Sequence, residues 1–361
     1  GAANAAHSYP NNAGDMTMLA LQKVRPEAGL EFRDVEIPSV PPEGEVLIRV
    51  EAAGICGTDL HIAEWTPGYE SMQSAMPVTL GHEFSGVIHG VGPDVARGLI
   101  GQRVTVRPST TCGHCAACLA GHDDDCSNRR GIGIGRSGAF TSFVCAPARN
   151  CHLLPDSLDM EIAALTEPMT VCLEAVNTAE VRGGQTILVL GPGFIGQGIA
   201  ILARSRGAKV VIAGRDDHPR LELLRNLGFD FLIDGKETPL DRALSEYQPF
   251  DAIIEAAGVP ALVNATLPFL KKRGIFTVVG IHPRPAEINL TQLVRMHQQI
   301  RGSYRASAQD WDATIAFLND HQDVMRKLIS HRFSLGSALE GFSVSHQRLA
   351  SKVMLQIREP S

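Results

Sequence analysis

The sequence predicts an α/β chain of two domains, a β-rich barrel-like region and a doubly wound parallel sheet. Three observations carry this. With 361 residues, 44% of them hydrophobic, the chain is long enough to bury two cores rather than one growing one. Up to about Val144 it mixes short β-rich runs with Gly and Pro punctuation. Beyond that, continuous apolar runs alternate with helical spans, the pattern of parallel strands covered on both faces.

Taken in order, the opening GAANAAHSYPNNAG lacks a charged head followed by an apolar core, so it reads as a frayed tail and not as an export signal. EVLIRVEAAGI and HEFSGVIHGVG carry branched or alternating strand patterns without helical spacing. A break falls near LPDSLDMEIAALTEPMTVCLEAV, where Asp156 or Ser157 can cap a helix running through Ala164. GQTILVLGPGFIGQGIAILARSRGAKVVIAGR reads strand, glycine turn, helix, strand, and FDAIIEAAG and GIFTVVG add further buried strands. From about Ser303 come a helix-like DWDATIAFLNDH and a last strand candidate, SKVMLQI. The expected division is 1–167 for the first domain, 168–302 for the parallel-sheet domain and 303–361 for the remainder.

The formal net charge is -6, from 39 acidic and 33 basic residues, which gives no general attraction to nucleic acid or an anionic membrane. No apolar run approaches the length of a bilayer span. Eight cysteines, unevenly spread, argue for a reduced, cytoplasmic setting.

Four of those cysteines fall in CGHCAACLAGHDDDC, at Cys112, Cys115, Cys118 and Cys126. Thiolates spaced C-x2-C-x2-C-x7-C on one short loop can surround Zn²⁺ in a tetrahedron, closed to water and substrate and therefore structural. Metal then replaces the core that a lobe spanning 108–130 cannot build. An iron–sulfur cluster and disulfides are the competing readings, and the wide last gap favours zinc. His114 and His122 are then bystanders, and Asp123–Asp125 a solvated turn.

A second cluster has an open design. Cys56 follows a strand-like run in GICGTDLH, and His82 and Glu83 follow another in LGHEFSG. Thiolate and imidazole are good zinc ligands, while Glu83 either binds the metal or orients His82. Glu167, in LTEPMT, is a candidate to bind the metal transiently or hold its water. Such a site suits alcohol oxidation, because Zn²⁺ acidifies an alcohol and polarises a carbonyl in reverse. Thr58 and His61, just beyond Cys56, could pass the released proton to solvent. The bland reading of each is burial or turn hydrogen bonding. Trp65 and Tyr69 could wall a substrate cleft or simply pack, and Cys145, Cys151 and Cys172 need no role beyond packing.

In LVLGPGFIGQG, Gly191, Gly193 and Gly196 have G-x-G-x-x-G spacing between a strand-like and a helix-like run, so the loop from Gly191 through Phe194 and Ile195 to Gly196 is a dinucleotide site candidate. The next strand ends in Gly214 and Arg215 where an NAD site usually has an acidic residue. Gly214 leaves room for a 2′-phosphate and Arg215 could pair with it, favouring NADP over NAD; Asp216 and Asp217 pull the other way.

The landmarks GICGTDLH, LGHEFSGVIHGVG, CGHCAACLAGHDDDC, LTEPMT, VLGPGFIGQG and IRGSY, in this order over nearly the whole chain, resemble the zinc-dependent medium-chain dehydrogenase/reductase family. The resemblance implies a GroES-like β-barrel catalytic domain to which the tail returns, and a Rossmann coenzyme domain. It implies one structural and one catalytic zinc per subunit and a homotetramer or homodimer. Its catalytic positions carry over as Cys56, His82, Glu83 and Glu167, with Thr58 and His61 at the relay. GTDLHIAEW is similar to both threonine and polyol (sorbitol or iditol) dehydrogenases, and LTEPM looks more like the polyol branch. Glu174 stands where many polyol enzymes have His, a departure beside the zinc site. The expected activity is reversible oxidation of a secondary alcohol, a small polyol or sugar alcohol, to a ketone. An amino-alcohol dehydrogenase, a zinc-independent NADPH-dependent enone reductase and a non-enzymatic NAD(P)-sensing protein are the alternatives.

Overall fold

The structure, a computed structural model, describes residues 17–358. The tail expected at 1–14 lies outside the described residues. The chain divides into two compact units: residues up to Glu167 together with Ile315–Gln347 and the stretch from Lys352 on, and Pro168–Thr314 together with Arg348–Ser351.

The first unit is built around one long strand, β1 (Glu45–Gly54), with Val46, Ile48, Val50 and Ala53 fully or almost fully buried. Antiparallel β2 (Glu83–Val91) pairs along most of its length, and β3 (Arg103–Val106) adds to the far edge of β2. β4 (Phe143–Pro147) pairs with the first half of β1 only. Beyond its second half, β1 runs within two residues into a short helix, α1 (Gly57–Glu64). Cys56 is its N-cap, in a capping box in which the Asp59 carboxylate accepts the Cys56 N–H at 2.9 Å. The four-cysteine lobe hangs from this unit on a two-stranded base, Ser109–Thr110 against Arg130–Gly131. A one-turn helix at Met160–Ala163 is capped by Asp159, not by Asp156 or Ser157. The chain from Pro155 to Leu158 is already closed into a turn by the Leu158 N–H on the Pro155 carbonyl, so the first free capping carboxylate is three residues on.

Helix α2 (Thr166–Thr178) leads into the second unit. Here six strands lie parallel: β5 (Thr186–Leu190), β6 (Lys209–Gly214), β7 (Leu232–Asp234), β8 (Phe250–Glu255), β9 (Leu270–Val278) and β10 (Gln299–Gly302). Their spatial order is β7-β6-β5-β8-β9-β10. The chain moves outward from β5 to β7 and then restarts at β8 on the other flank, so β5 and β8 form the switch point where such sheets bind ligands. α3 (Phe194–Ser205) and α4 (His218–Asn226) follow β5 and β6. Leu188, Val211, Phe250, Ile253 and Phe276 fill the core beneath.

The return to the first unit begins at Ile315, later than the expected boundary after 302. Ser303 is still tied to the sheet, its N–H donating to the Val278 carbonyl at 3.0 Å. β11 (Ile329–Ser334) pairs parallel with β12 (Lys352–Gln356), and β12 pairs antiparallel with Ala52–Gly54 at the end of β1. SKVMLQI therefore closes the sheet beside the segment that carries Cys56.

Candidate active site

Strand β1 and helix α1 deliver Cys56, and the start of β2 delivers His82 and Glu83. One donor atom from each of the three lies within 4.8 Å of the others. Glu83 is fully buried and His82 nearly so, while Cys56 is half-buried. Lys352, the first residue of β12, is also buried and donates to Glu83 Oε2 at 2.8 Å and to the Ile55 carbonyl at 3.0 Å. Asp59 Oδ1 stands 3.6 Å from His82 Nδ1, the position of a group that fixes which ring nitrogen is free. Glu167 is outside this mutually close trio, yet its carboxyl feels His82, Glu83 and Lys352.

The charges explain what the cluster is for. Burial pushes the Cys56 thiol up, with Glu83 adding to the effect. Burial also raises Asp59 to about 6 and Glu167 to about 7. Burial works against the charged form of His82, but Asp59 and Cys56 outweigh it and hold the ring well above its ordinary range. Lys352 is likewise held up by Glu83 and Cys56 against the pull of burial. The Lys352 ammonium thus faces the Cys56 thiol and the carboxyls of Glu83, Glu167 and Asp59. Asp59 Oδ1, His82 Nδ1 and Glu83 Oε1 are buried without a hydrogen-bond partner. A cluster of buried acids, a soft sulfur and orphaned donor atoms fit a divalent borderline-soft ion such as Zn²⁺, whose binding would replace the protons these groups otherwise hold.

Thr58 and His61 share one face of α1 three residues apart, Thr58 half-buried and His61 exposed. The His61 ring stacks on Tyr69, centroids 6.4 Å apart. Trp65, which ends the helix in a left-handed conformation, has the Lys23 ammonium 5.3 Å from its ring centroid.

The four-cysteine lobe is a separate centre. All four thiols are free, and their sulfurs lie within 4.8 Å of one another. Cys112 Sγ is 3.7 Å from Cys126 Sγ and 4.0 Å from Cys118 Sγ. A tetrahedron with zinc–sulfur arms near 2.3 Å has edges of about 3.8 Å, whereas a disulfide needs about 2 Å. Backbone N–H groups already serve the sulfurs: Cys115 donates to Cys112 Sγ at 3.3 Å and Cys112 to Cys126 Sγ at 3.4 Å. Such donors, that of His114 first, hold the Cys112 thiol below its ordinary range. Asp123–Asp125 form an exposed turn, and neither histidine joins the cluster.

In the second unit Gly191 follows β5 with φ +105°, and Gly193 caps α3. A Cβ on Gly196 would sit 1.8 Å from the Gly191 carbonyl oxygen, so only glycine lets the helix lie this close to the turn. Phe194 and Ile195 open the helix whose N-terminal N–H groups face the loop. At Gly214 a Cβ would meet Pro192 Cγ at 2.8 Å. Pro192 therefore leaves no place there for a side chain, an acidic one included. Arg215 is exposed just beyond. Asp216 is engaged by Lys236 Nζ at 3.0 Å, and Asp217 accepts from Arg220 Nε at 2.6 Å. The Arg220 guanidinium also lies over the glycine turn, 3.1 Å from a Cβ built on Gly193. Glu174 pairs with a second carboxyl, Asp310, and burial first and Asp310 second raise its pKa.

Three groups were missed from sequence. Asp59 had a local signal, the C-x-x-D spacing of a capping box. Arg220 had a weaker one, five residues beyond Arg215. Lys352 had none, being 269 residues from its partner Glu83.

Comparison with known proteins agrees with this geometry. Residues 42–156 match the alcohol dehydrogenase GroES-like domain and residues 195–320 the zinc-binding dehydrogenase domain. The chain is 34% identical over 343 residues to an L-threonine 3-dehydrogenase of Rhizobium johnstonii, covering 94% of this chain and 98% of that one. Among solved structures it is similar to a short chain alcohol dehydrogenase from E. coli CFT073 complexed with NADH, at 29% identity and a TM-score of 0.85, covering 95% of this chain and 100% of the other. It is also similar to a putative zinc-binding dehydrogenase from Sinorhizobium meliloti 1021 bound to NADP, at 30% identity and a TM-score of 0.83, with the same coverage. With its two domains, its thiol and imidazole cluster and its glycine loop, the chain belongs to the zinc-dependent medium-chain dehydrogenase/reductase family.

Proposed function

We propose that this protein reversibly oxidises the secondary alcohol of a small polyol or sugar alcohol to a ketone, with NADP favoured over NAD as hydride acceptor. The observation that carries the reading is the close trio of half-buried Cys56 and buried His82 and Glu83, with orphaned atoms and one ammonium among several acids. Cys56, His82 and a carboxylate would hold the catalytic zinc, which when bound supplies Lewis acidity toward an alcohol or carbonyl oxygen. Glu83 gives one oxygen to Lys352, so it tunes the charge around the ion, and Glu167 is the carboxylate that would bind the ion transiently or hold its water. Asp59 orients His82. Thr58 takes the proton from the substrate hydroxyl and His61, on the same helix face and exposed, hands it to solvent. The structural zinc belongs to Cys112, Cys115, Cys118 and Cys126.

The NADP preference rests on Arg215 and Arg220, with Asp216 and Asp217 each already paired to a cation and so less able to repel a phosphate. A second substrate reading, a β-hydroxy amino acid, is favoured by the identity to an L-threonine 3-dehydrogenase. Homo-oligomerisation, as a dimer or tetramer, is supported by apolar side chains left exposed on the second unit: Leu290 and Val294 one helical turn apart, with Ile281 and Tyr304. No described helix is long and apolar enough to cross a membrane; the setting we propose is cytoplasmic.

The deciding experiment assays both coenzymes against polyols and β-hydroxy amino acids, with zinc counted in wild type and Cys56→Ser. We expect two zinc ions per wild-type chain and one in the variant, with activity on at least one polyol. Equal zinc content and equal alcohol oxidation in the two proteins would overturn the reading.

A further inference from the structure

We propose that Glu255 and His282 form a positioning pair that fixes the two loops bordering the nicotinamide half of the coenzyme. The inference rests on the reading of the second unit as a dinucleotide domain. Glu255 is the last residue of β8, which lies beside β5 at the switch point of the sheet. The adenosine ribose belongs after β6, on one flank of β5, so the nicotinamide half falls across the ends of β8 and β9 on the other.

Glu255 is fully buried there. Its Oε1 accepts the N–H groups of Ala257 at 2.8 Å, Gly258 at 2.6 Å and Val259 at 3.4 Å, which folds the loop after β8 around the carboxylate. Its main-chain carbonyl accepts from Val279 at 2.9 Å and Gly280 at 3.1 Å, in the loop after β9. The other carboxylate oxygen, Oε2, stands 3.2 Å from Nε2 of His282, and His282 Nδ1 is 2.9 Å from the Gly280 carbonyl oxygen. Apart from this approach, Oε2 and Nε2 are buried with no hydrogen-bond partner among the described residues. The ring thus stands between two acceptors, the Gly280 carbonyl at Nδ1 and the Glu255 carboxylate at Nε2, and so ties one loop to the other.

The two loops interlock around this pair. A Cβ on Gly280 would lie 2.9 Å from Glu255 Oε2, and one on Gly258, at φ +69°, would lie 2.7 Å from the Ile281 carbonyl oxygen. One carboxylate therefore brackets both loops, from its own strand on one oxygen and through His282 on the other. Loops held in the bound conformation before the ligand arrives bind it more tightly. None of this requires either side chain to touch the reacting atoms.

The test is fragment binding to the intact protein. Dissociation constants for NADPH and NADH, read by nucleotide fluorescence, are compared with those for 2′,5′-ADP and 5′-AMP, which carry only the adenosine half. His282→Leu should weaken the better dinucleotide by about tenfold, the loss of one charge-assisted bond, and leave its adenosine fragment within about twofold. His282→Gln, whose amide nitrogen reaches the place of Nε2, should recover most of that affinity. His282→Asn, which reaches only the place of Nδ1, should not. The proposal is overturned if the Leu variant keeps its dinucleotide affinity, if fragment and dinucleotide weaken equally, or if Asn restores as much as Gln. A wild-type protein that binds none of the four nucleotides sinks the coenzyme reading itself, a distinct failure.

Discussion

The two candidate metal centres of the first unit are built on opposite plans. The lobe draws four identical ligands from fifteen consecutive residues, Cys112 to Cys126, and around them only Cys126 is buried while Leu119 is 76% exposed. The Cys56 centre gathers unlike groups from residues 56, 59, 82, 83 and 352, on strands and a helix that the barrel core holds in any case. The lobe has no core of its own, so its metal must supply its folding energy. The other centre has a scaffold, so its metal is free to serve chemistry. The difference teaches that the loss of one ion should appear as unfolding and the loss of the other as lost catalysis.

The sharpest way to break this contrast is Cys56→Ser. Removing a thiolate from the catalytic centre should lower kcat by about a thousandfold, since Lewis-acid stabilisation amounts to several kcal/mol and each 1.36 kcal/mol is tenfold. The melting temperature should move little. Steady-state kinetics beside a thermal melt decide it, and a collapse of stability with preserved turnover would reverse the assignment.

Cys115→Ser should do the opposite. The lobe loses its ion and opens, lowering Tm by roughly 5–10 °C if the cost is a few kcal/mol, with protease cutting first between residues 112 and 126. Turnover by the protein that remains folded should fall far less than in Cys56→Ser. Limited proteolysis with mass mapping reads this out.

The contrast also explains what could be read from sequence. The lobe was legible because its ligands are local and of one kind; spacing alone carries a tetrahedron. The glycine loop was legible for the same reason, as strand, turn and helix follow one another in the chain. Cys56, His82 and Glu83 could be named because each sits at the end of a strand-like run, but their convergence depends on the pairing of β1 with β2. The start of the return at Ile315 and the role of Lys352 were not legible, because only the pairing of β12 with β1 brings that ammonium to Glu83. Why position 214 must be glycine was not legible either, since the neighbour that crowds its Cβ position, Pro192, comes from the turn after another strand.

Lys352 gives the next test. Lys352→Met leaves Glu83 buried without its counter-charge, which costs about 3–5 kcal/mol in similar pairs. Glu83→Gln added to Lys352→Met should return much of that stability, because the amide needs no cation. Chemical denaturation of the two variants decides it; if the double variant is no more stable than the single one, the pair is not the reason for the burial. A smaller effect is expected at the coenzyme loop. Arg215→Ala should raise KM for NADP by about ten- to a hundredfold, the size of one or two charge-assisted bonds, while KM for NAD stays within about twofold.

The smallest expected change concerns the thiols outside both centres, and it checks that the contrast is about metal rather than about cysteine. Burial raises Cys145 to about 11 and Cys151 to about 12. A thiol reacts as its thiolate, so at pH 8 only about one part in 10³ of Cys145 and one in 10⁴ of Cys151 is reactive. Raising the pH from 8 to 9 should therefore speed alkylation of each by about tenfold, since both remain below their pKa values. Once a chelator has removed its ion the lobe opens, so Cys112 and Cys115, then exposed, should be alkylated faster at pH 8 than either buried thiol. Mass spectrometry of iodoacetamide-treated protein, with and without chelator, follows each cysteine separately. Chelator should expose the lobe sulfurs and leave Cys145 and Cys151 as slow as before. If all of them speed up together, the lobe and the barrel come apart as one body, and the separation of a metal that folds from a metal that reacts does not hold.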